Sequence, residues 1–197
     1  MFVDYDEKAL TQRYQLMAQS IIPRPIAWVV TEYDGVLNVA PFSYFMGLSS
    51  EPPTMIISIG HKSDGSQKDT LRNLRASKKC TICMVDENLL EKMHFSSKEL
   101  ADDVSEAELF DIGLERPFEQ FPPMVTGTPT AFFCELHQEI DLKGSKTIPL
   151  VVEIKQQFID DAVIIDSERL TLSYAPLARV GKEYALLGKM IPPPKIP

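Results

Sequence analysis

The feature of this sequence that most limits its fold is the shortness of its apolar runs. Most runs are rich in β-branched or aromatic residues and are bounded by turn-forming residues, which is typical of strands in an antiparallel sheet or barrel. The predicted strands cover residues 26–31, 36–40, 54–60, 80–85, 130–140, 147–159 and 162–165. Asp34-Gly35 and Lys143-Gly144-Ser145 can form hairpin turns because they tolerate positive φ angles. We therefore predict a mainly β protein, a β-barrel with helices, and not a doubly wound sheet.

Three short helices are predicted beside the strands, each where a capping side chain precedes apolar residues at helical spacing. The predicted N-caps are Asp69 or Thr70, then Asp86, then Ser105, which has capping-box spacing to Glu108. No linker separates two cores, so residues 1–197 are predicted to form one domain. Within it, residues 86–120 are predicted to be an acidic helical insertion, and residues 190–197 a proline-rich tail.

Charge is concentrated in two segments of the chain. The net charge is −8, from 20 Lys and Arg against 28 Asp and Glu, which argues against a nucleic-acid-binding protein. The acidic segment 86–120 carries the whole excess, and a solvated surface is the ordinary explanation for such a run. Residues 61–80 are basic and include Lys62, Lys68 and Arg72, so an anionic ligand is expected to bind there.

Other features favour a reduced protein of the cytoplasm. The three cysteines give no disulfide framework, and no apolar run approaches the roughly 18 residues of a membrane span. We expect a cytoplasmic protein without membrane contact, since the first residues do not resemble a signal peptide. Cys80 and Cys83 have C-x-x-C spacing but lie in a predicted strand, where they face opposite sides and form no redox pair. His61, His94 and His137 lack metal-ligand spacing, so no metal site is expected and surface or capping roles are favoured.

The turn after the third predicted strand is a candidate anion site. Its sequence, GHKSDGS at residues 60–66, lacks the lysine that a P-loop needs after the second glycine, so an NTPase is rejected. A polar turn before a helix start still offers free backbone N–H groups, and Lys68 lies beside them. The alternative is a solvated turn.

Residues 20–53 combine stiff loops with polar side chains. Prolines fix φ and remove hydrogen-bond donors, so Pro23 and Pro41 bracket strands and stiffen the loops beside them. Rigid loops that carry Arg24, Asn38 and Ser43 suit ligand binding. The alternative is that these segments are only the corners of a barrel.

Four runs span residues 20–74 in order: SIIPRPIAWV, GVLNVAPFSYF, SSEPPTMIISIG and KDTLRNL. In this order and spacing they resemble the flavin reductase-like domain family, the FMN-binding split barrels that include flavoredoxin. The resemblance implies a six-stranded split β-barrel with helices, a homodimer, and FMN, or else FAD, held without a covalent bond. It also implies an oxidoreductase, an NAD(P)H-dependent flavin reductase that passes electrons to free flavin or to another acceptor.

Two other functions use the same flavin contacts, so the sequence leaves them open. One is a non-catalytic FMN-binding or electron-transfer protein, and the other is an FMN enzyme that reduces an organic substrate directly. A β-barrel interaction domain without a cofactor is the third alternative.

The resemblance also implies which residues bind the cofactor. Those along the flavin ring would be Asn38, Val39, Ala40, Pro41, Phe42 and Ser43. Those at the ribityl chain and phosphate would be Ser58, Ile59, Gly60, Lys68, Asp69 and Thr70. Arg24 and Pro25 belong to the first motif, with Arg24 a contact to phosphate or ring, and Arg179 and Tyr184 would close the site. No catalytic acid or base is assigned, because a flavin needs positioning and not an amino-acid nucleophile.

Overall fold

A computed structural model describes residues 1–196. Its α-helices are α1 (Leu10–Ser20), α2 (Asp69–Ser77), α3 (Leu90–Phe95) and α4 (Glu106–Leu109), with 3-10 turns at Glu87–Leu89 and Asp161–Val163. The strands of the first half are β1 (Arg24–Pro25), β2 (Ala27–Tyr33), β3 (Val36–Phe42), β4 (Phe45–Ser50), β5 (Pro53–Ile59) and β6 (Lys79–Cys83). Those of the second half are β7 (Leu114–Glu115), β8 (Met124–Val125), β9 (Thr130–Glu139), β10 (Ile148–Ile159), β11 (Ile164–Asp166), β12 (Thr171–Leu172), β13 (Leu177–Val180) and β14 (Glu183–Leu186).

Seven strands form the main antiparallel sheet, in the order β3-β2-β6-β9-β10-β5-β4. Its two edge strands follow each other in the chain, separated only by Ser43 and Tyr44. The sheet curls so that β3 runs directly into β4, and Ser58 N donates to Tyr44 O at 2.9 Å, which continues the β4–β5 pairing by one residue. The fold is a split β-barrel, as the sequence predicts. The main sheet has one strand more than the six expected, because the unpredicted β4 pairs with β5.

Side chains alternate between two cores on the two faces of the sheet. The inner core contains Val29, Ile57 and Ile82, and Leu71 and Leu74 of α2 close it at one end. The outer core packs the opposite faces of β2 and β9 against α3 and the residues that follow it. Strand β2 is buried on both faces, which explains why its sequence is continuously apolar and does not alternate.

Trp28 anchors the outer core. Its side chain is fully buried, and its indole N–H donates to Ser96 Oγ at 2.9 Å. Because a buried indole needs a hydrogen-bond partner, this contact fixes the end of α3 against the sheet. The three cysteines are free and buried, and Cys80 and Cys83 belong to different cores. Burial raises the pKa of the Cys83 thiol to about 12, and the prediction that Cys80 and Cys83 face opposite sides of the sheet is confirmed.

The predicted hairpins are confirmed. Asp34 and Gly35 both have positive φ, at 52° and 79°, and join β2 to β3. Gly144 also has positive φ, and its turn joins β9 to β10. Both turns therefore use residues that tolerate the left-handed region.

Several local predictions were wrong. Neither Asp69 nor Thr70 caps α2, which begins after Lys68 without a side-chain cap bond. Ser105 is the N-cap residue of α4, as predicted, but its side chain forms no cap hydrogen bond and no capping box. Residues 162–165 begin as a 3-10 turn and not as a strand. Helix α1 was not predicted, because its apolar side chains do not form a clear stripe.

A small three-stranded sheet, in the order β1-β13-β14, brings the two ends of the chain together. Arg24 pairs in register with Arg179, and Pro25 with Ala178. Residues 187–196 beyond it are exposed and form no regular element, and Pro197 lies outside the described residues. Among residues 1–196, no helix has the length and hydropathy that crossing a membrane requires.

Candidate functional site

A groove follows edge strand β3, and the residues that the resemblance assigns to the flavin ring lie along it. The backbone N–H of Val39 points away from β2 and donates to Glu106 Oε2 at 2.9 Å. Pro41 has no N–H to offer, as expected of a proline on an edge strand. The groove has two ends, which differ in chemistry and are described in turn.

The anion end of the groove is formed by Asn38, Lys62, Lys68, Asp69 and Thr70. Asn38 Nδ2 donates to Thr70 Oγ1 at 2.8 Å, and both side chains are buried. This bond ties β3 to the first turn of α2. The structure therefore brings together Asn38 and the KDT motif, which lie 30 residues apart in the sequence.

Carboxylates pair with the cations of the anion end and its neighbour Arg72. Lys62 Nζ lies 3.0 Å from Asp69 and 2.6 Å from Asp102. Arg72 contacts the same two carboxylates, at 2.9 Å from Asp69. Lys68 Nζ lies 3.5 Å from Glu99. Three cations thus face three carboxylates, two of which belong to the acidic segment.

Glu99 also binds the predicted anion-binding turn. Its Oε2 accepts from Ser63 Oγ at 2.8 Å and from the Ser63 N–H at 3.3 Å. The hydrogen bond from Ser63 and the nearby Lys68 hold the pKa of Glu99 below its usual range. The hydrogen bond from Lys62, with Arg72 nearby, does the same for the pKa of Asp102. The acidic segment is therefore not simply a solvated surface, because Glu99 and Asp102 form ion pairs with the basic segment.

Glu106 is the most buried carboxylate of the acidic segment, with 5% of its surface exposed. Burial raises its pKa, and the hydrogen bond from Val39 partly offsets the increase. Glu106 also lines the cavity of the anion end, together with Ser96, Ser97, Lys98, Glu99 and Leu100. This cavity measures about 30 Å³. One water molecule needs about 10–15 Å³, so the cavity has room for about two.

The aromatic end of the groove is an open cleft of about 220 Å³. It is lined by Tyr14, Ile26, Pro41, Phe42, Ser43, Met93, His94, Ser97, Arg179 and Tyr184. Ser97 lines both this cleft and the anion end. The two ends therefore form one groove along β3, open where it is aromatic and narrow where it is charged.

His94, Arg179 and Tyr184 form a cluster in the open cleft. His94 Nδ1 lies 2.9 Å from Tyr184 Oη. The Arg179 guanidinium lies over the Tyr184 ring, 4.6 Å from its centroid, within the range of a cation–π contact. The cluster presents aromatic faces and hydrogen-bonding groups to one cleft, which suits a planar ligand with polar edges. His94 is exposed in the last turn of α3, as its spacing favours, and it also contacts Tyr184.

The remaining predicted residues line neither end of the groove, but Arg24 Nε donates to Ser43 Oγ of the aromatic end at 3.5 Å. The Arg24 guanidinium is buried and donates to carbonyl oxygens of Ala18, Ile21 and Gly181. It therefore clamps the end of α1 to the β13–β14 turn, and its neighbour Pro25 lies in the same small sheet. Ser58, Ile59 and Gly60 end β5, where the Ile59 side chain is fully buried in the inner core.

Sequence reasoning missed several residues of the groove. Those are Tyr14, Met93, His94 and Ser97 at the aromatic end, and Glu99, Asp102 and Glu106 at the anion end. For Glu99, Asp102 and Glu106, the only indication in the sequence was that the acidic segment 86–120 closely follows the basic segment 61–80. Nothing in the spacing of the first set indicated that α1 and α3 meet beside β3.

Comparisons with known proteins agree with the fold. Residues 17–172 match the family described as Flavin reductase like domain. An uncharacterized protein of Bacillus subtilis (strain 168) is 33% identical over 195 residues, covering 93% of this chain and 93% of that protein.

Two solved structures are similar along almost the whole chain. The 2-nitrobenzoate 2-nitroreductase of Pseudomonas fluorescens is 27% identical, with a TM-score of 0.87 over 100% of this chain and 98% of that one. Nitrilotriacetate monooxygenase component B of Bacillus cereus is 26% identical, with a TM-score of 0.88 over 98% of each chain.

Proposed function

Because this chain belongs to the flavin reductase like domain family, we propose that it is an FMN-binding oxidoreductase that takes electrons from NADH or NADPH. The electrons would pass to free flavin or to another acceptor. The observation that carries the proposal is the single groove along β3, which joins an aromatic cleft to a cluster of cations. A flavin mononucleotide has the same division, with a planar ring at one end and a phosphate at the other.

The donors of the anion end fit a phosphate. Lys68 would supply a charge-assisted hydrogen bond, and the Thr70 hydroxyl, fixed by Asn38, lies at the start of α2. Lys62 and Arg72 add positive charge beside them. FAD shares the ring and the first phosphate, so it remains the alternative cofactor.

The aromatic end fits an isoalloxazine ring. Pro41 and Phe42 offer a stiff apolar wall, while Arg179 and Tyr184 stand on the other side of the same cleft. When bound, the flavin would supply two-electron chemistry by accepting a hydride from the nicotinamide. The chain's own part is to position the ring, exclude water from one side and present His94 and Arg179 to polar atoms.

We also propose a homodimer. Edge strand β4 has a free edge and exposes Met46 and Leu48, and the neighbouring α1 exposes Tyr14 and Met17. An exposed apolar edge strand can pair with another chain, and a second copy of this chain presents the same apolar face.

We propose the cytoplasm as the location, because the three free, buried thiols fit a reducing compartment.

The test is to purify the protein, record its visible absorption spectrum and follow NADH and NADPH oxidation with and without added FMN or FAD. We expect nucleotide oxidation that depends on flavin. Oxidation of neither nucleotide by a protein that binds FMN would indicate an electron carrier. A protein that takes up no flavin would exclude the proposal.

A second candidate is direct reduction of a planar aromatic acid. Arg179 stands in an open cleft beside aromatic side chains, where it could bind a carboxylate, and one similar structure is a 2-nitrobenzoate 2-nitroreductase. Nucleotide oxidation stimulated by 2-nitrobenzoate in the presence of FMN would favour this function. Stimulation by added FMN alone would favour the first.

A further inference from the structure

The contacts of Glu99 are those expected of a bound anion. Its carboxylate accepts from the N–H and hydroxyl of Ser63 and lies beside Lys68. These groups belong to the turn and helix start where the sequence predicts an anion. Asp102 likewise binds Lys62 and Arg72. The chain's own carboxylates therefore make the contacts that a phosphate would need.

The two carboxylates differ from Asp69 in their freedom to move. The side chain of Asp69 is 14% exposed and is held on α2, whereas those of Glu99 and Asp102 are 39% and 62% exposed. Both lie in an irregular segment between α3 and α4. Glu99 and Asp102 can turn into solvent at low cost, because an exposed ion pair contributes little to stability.

The small space left between these side chains fits such a movement. The anion end leaves about 30 Å³, enough for about two water molecules and too little for a phosphate. With the carboxylates in place, the formal charges of Lys62, Lys68 and Arg72 are balanced by those of Asp69, Glu99 and Asp102. Without Glu99 and Asp102, two positive charges remain, which match a dianionic phosphate.

We propose that Glu99 and Asp102 compete with the ligand's phosphate for Lys62, Lys68 and Arg72, so that a phosphorylated flavin is an exchangeable substrate and not a resident group. This inference rests on the proposed flavin site. Each phosphate contact replaces an existing ion pair, so the net gain from the phosphate is small. Because affinity differences appear mainly in the dissociation rate, the flavin leaves readily. The two carboxylates thereby set the affinity of the site and its preference for FMN over riboflavin.

The test compares wild type with the double variant Glu99→Gln/Asp102→Asn. Dissociation constants for FMN and riboflavin are measured by quenching of flavin fluorescence, and FMN retention by gel filtration. The matched control is Asp103→Asn/Glu119→Gln, which changes the net charge equally. Both control residues are exposed, and neither forms an ion pair within the described part of the chain. Thermal unfolding verifies that all proteins are folded, and Asp102→Asn alone provides a milder second variant.

We expect the double variant to bind FMN about tenfold more tightly or better, since charge-assisted hydrogen bonds to the phosphate then meet no competitor. Its affinity for riboflavin, which has no phosphate, should not change, and Asp102→Asn should give a smaller gain. The control should match wild type. Wild type should lose FMN on gel filtration, while the double variant retains more of it.

Three results would overturn the inference: an unchanged FMN affinity in the double variant, an equal gain for riboflavin, or an equal gain in the control. Stoichiometric retention of FMN by wild type would also overturn it. If none of the proteins binds either flavin, the proposed function itself fails. The two failures are therefore distinguishable.

Discussion

The two ends of the groove differ in how far the chain satisfies its own chemistry. At the anion end, Lys62 and Lys68 are paired with carboxylates, and the cavity measures only about 30 Å³. At the aromatic end, Arg179 and Tyr184 stack on each other beside a cleft of about 220 Å³. The cations of the anion end form ion pairs with carboxylates of the same chain. The open cleft at the aromatic end has space for a planar ligand. The aromatic end is thus preformed, and the anion end must be opened.

From this difference between the two ends, we expect the largest effect on FMN binding when the lysines of the anion end are removed. Lys62→Ala with Lys68→Ala should weaken FMN binding by more than about tenfold, less than the full ~1.5–3 kcal/mol of each hydrogen bond to a charged group, because each phosphate contact replaces an existing ion pair. The loss is reinforced because Asp69, Glu99 and Asp102 then repel the phosphate. Riboflavin affinity should not change, and titration of both flavins measures the difference. An equal loss for riboflavin would place the phosphate elsewhere and remove the distinction between the two ends.

The next effect concerns the buried carboxylate at the anion end. Glu106→Ala should lower the free energy of unfolding by about 1–3 kcal/mol, because the Val39 N–H loses its acceptor. Glu106→Gln keeps an acceptor and should be tolerated, so it serves as the control. Urea unfolding measures both changes. Similar losses in the two variants would show that the hydrogen bond is not what holds α4 against β3.

The same variants test the raised pKa of Glu106. A carboxyl whose pKa is raised by folding binds its proton more tightly when folded, so its contribution to stability is lost as pH rises through that pKa. Relative to wild type, Glu106→Gln should therefore gain stability at pH 7 compared with pH 4. No difference between the two pH values would argue against a buried, desolvated carboxylate.

The smallest effect is expected at the aromatic end. Tyr184→Leu should weaken FMN and riboflavin equally, by about tenfold, because it removes a stacking face and the contact with Arg179. Tyr33→Leu, at an exposed tyrosine at the end of β2, is the matched control. A loss for FMN but not for riboflavin would contradict the assignment of this end to the ring.

Local chemistry explains why much of the fold was predictable. Asp34-Gly35 can form its turn without help from the rest of the chain, and the flanking apolar runs then pair as β2 and β3. Strand β4 was not predictable in this way. Its sequence, FMGLSS, is exposed along most of its length, so no buried face leaves a pattern in the sequence. Helix α1 was missed for a similar reason.

The candidate site was predictable only where motifs are continuous. Asn38–Ser43 and Lys68–Thr70 were assigned from runs in the sequence, and the structure places both on one groove. Arg24 was assigned in the same way and stays a prediction; its guanidinium donates to backbone carbonyls and to Ser43 of the aromatic end. A residue of a sequence motif can hold the backbone in place or contact a ligand. Only the groups around its side chain in the structure distinguish these two roles.

By itself, the sequence determined an antiparallel barrel, its hairpins and the basic segment at the start of α2, because periodicity and turn chemistry act over a few residues, while the split form of the barrel was implied by the resemblance to the family. Only the tertiary structure decided that Glu99 and Asp102 cover that basic segment and that His94 meets Tyr184. These partners lie 30 to 90 residues apart. Pairing over such distances depends on how the whole sheet curls, and no local pattern records it.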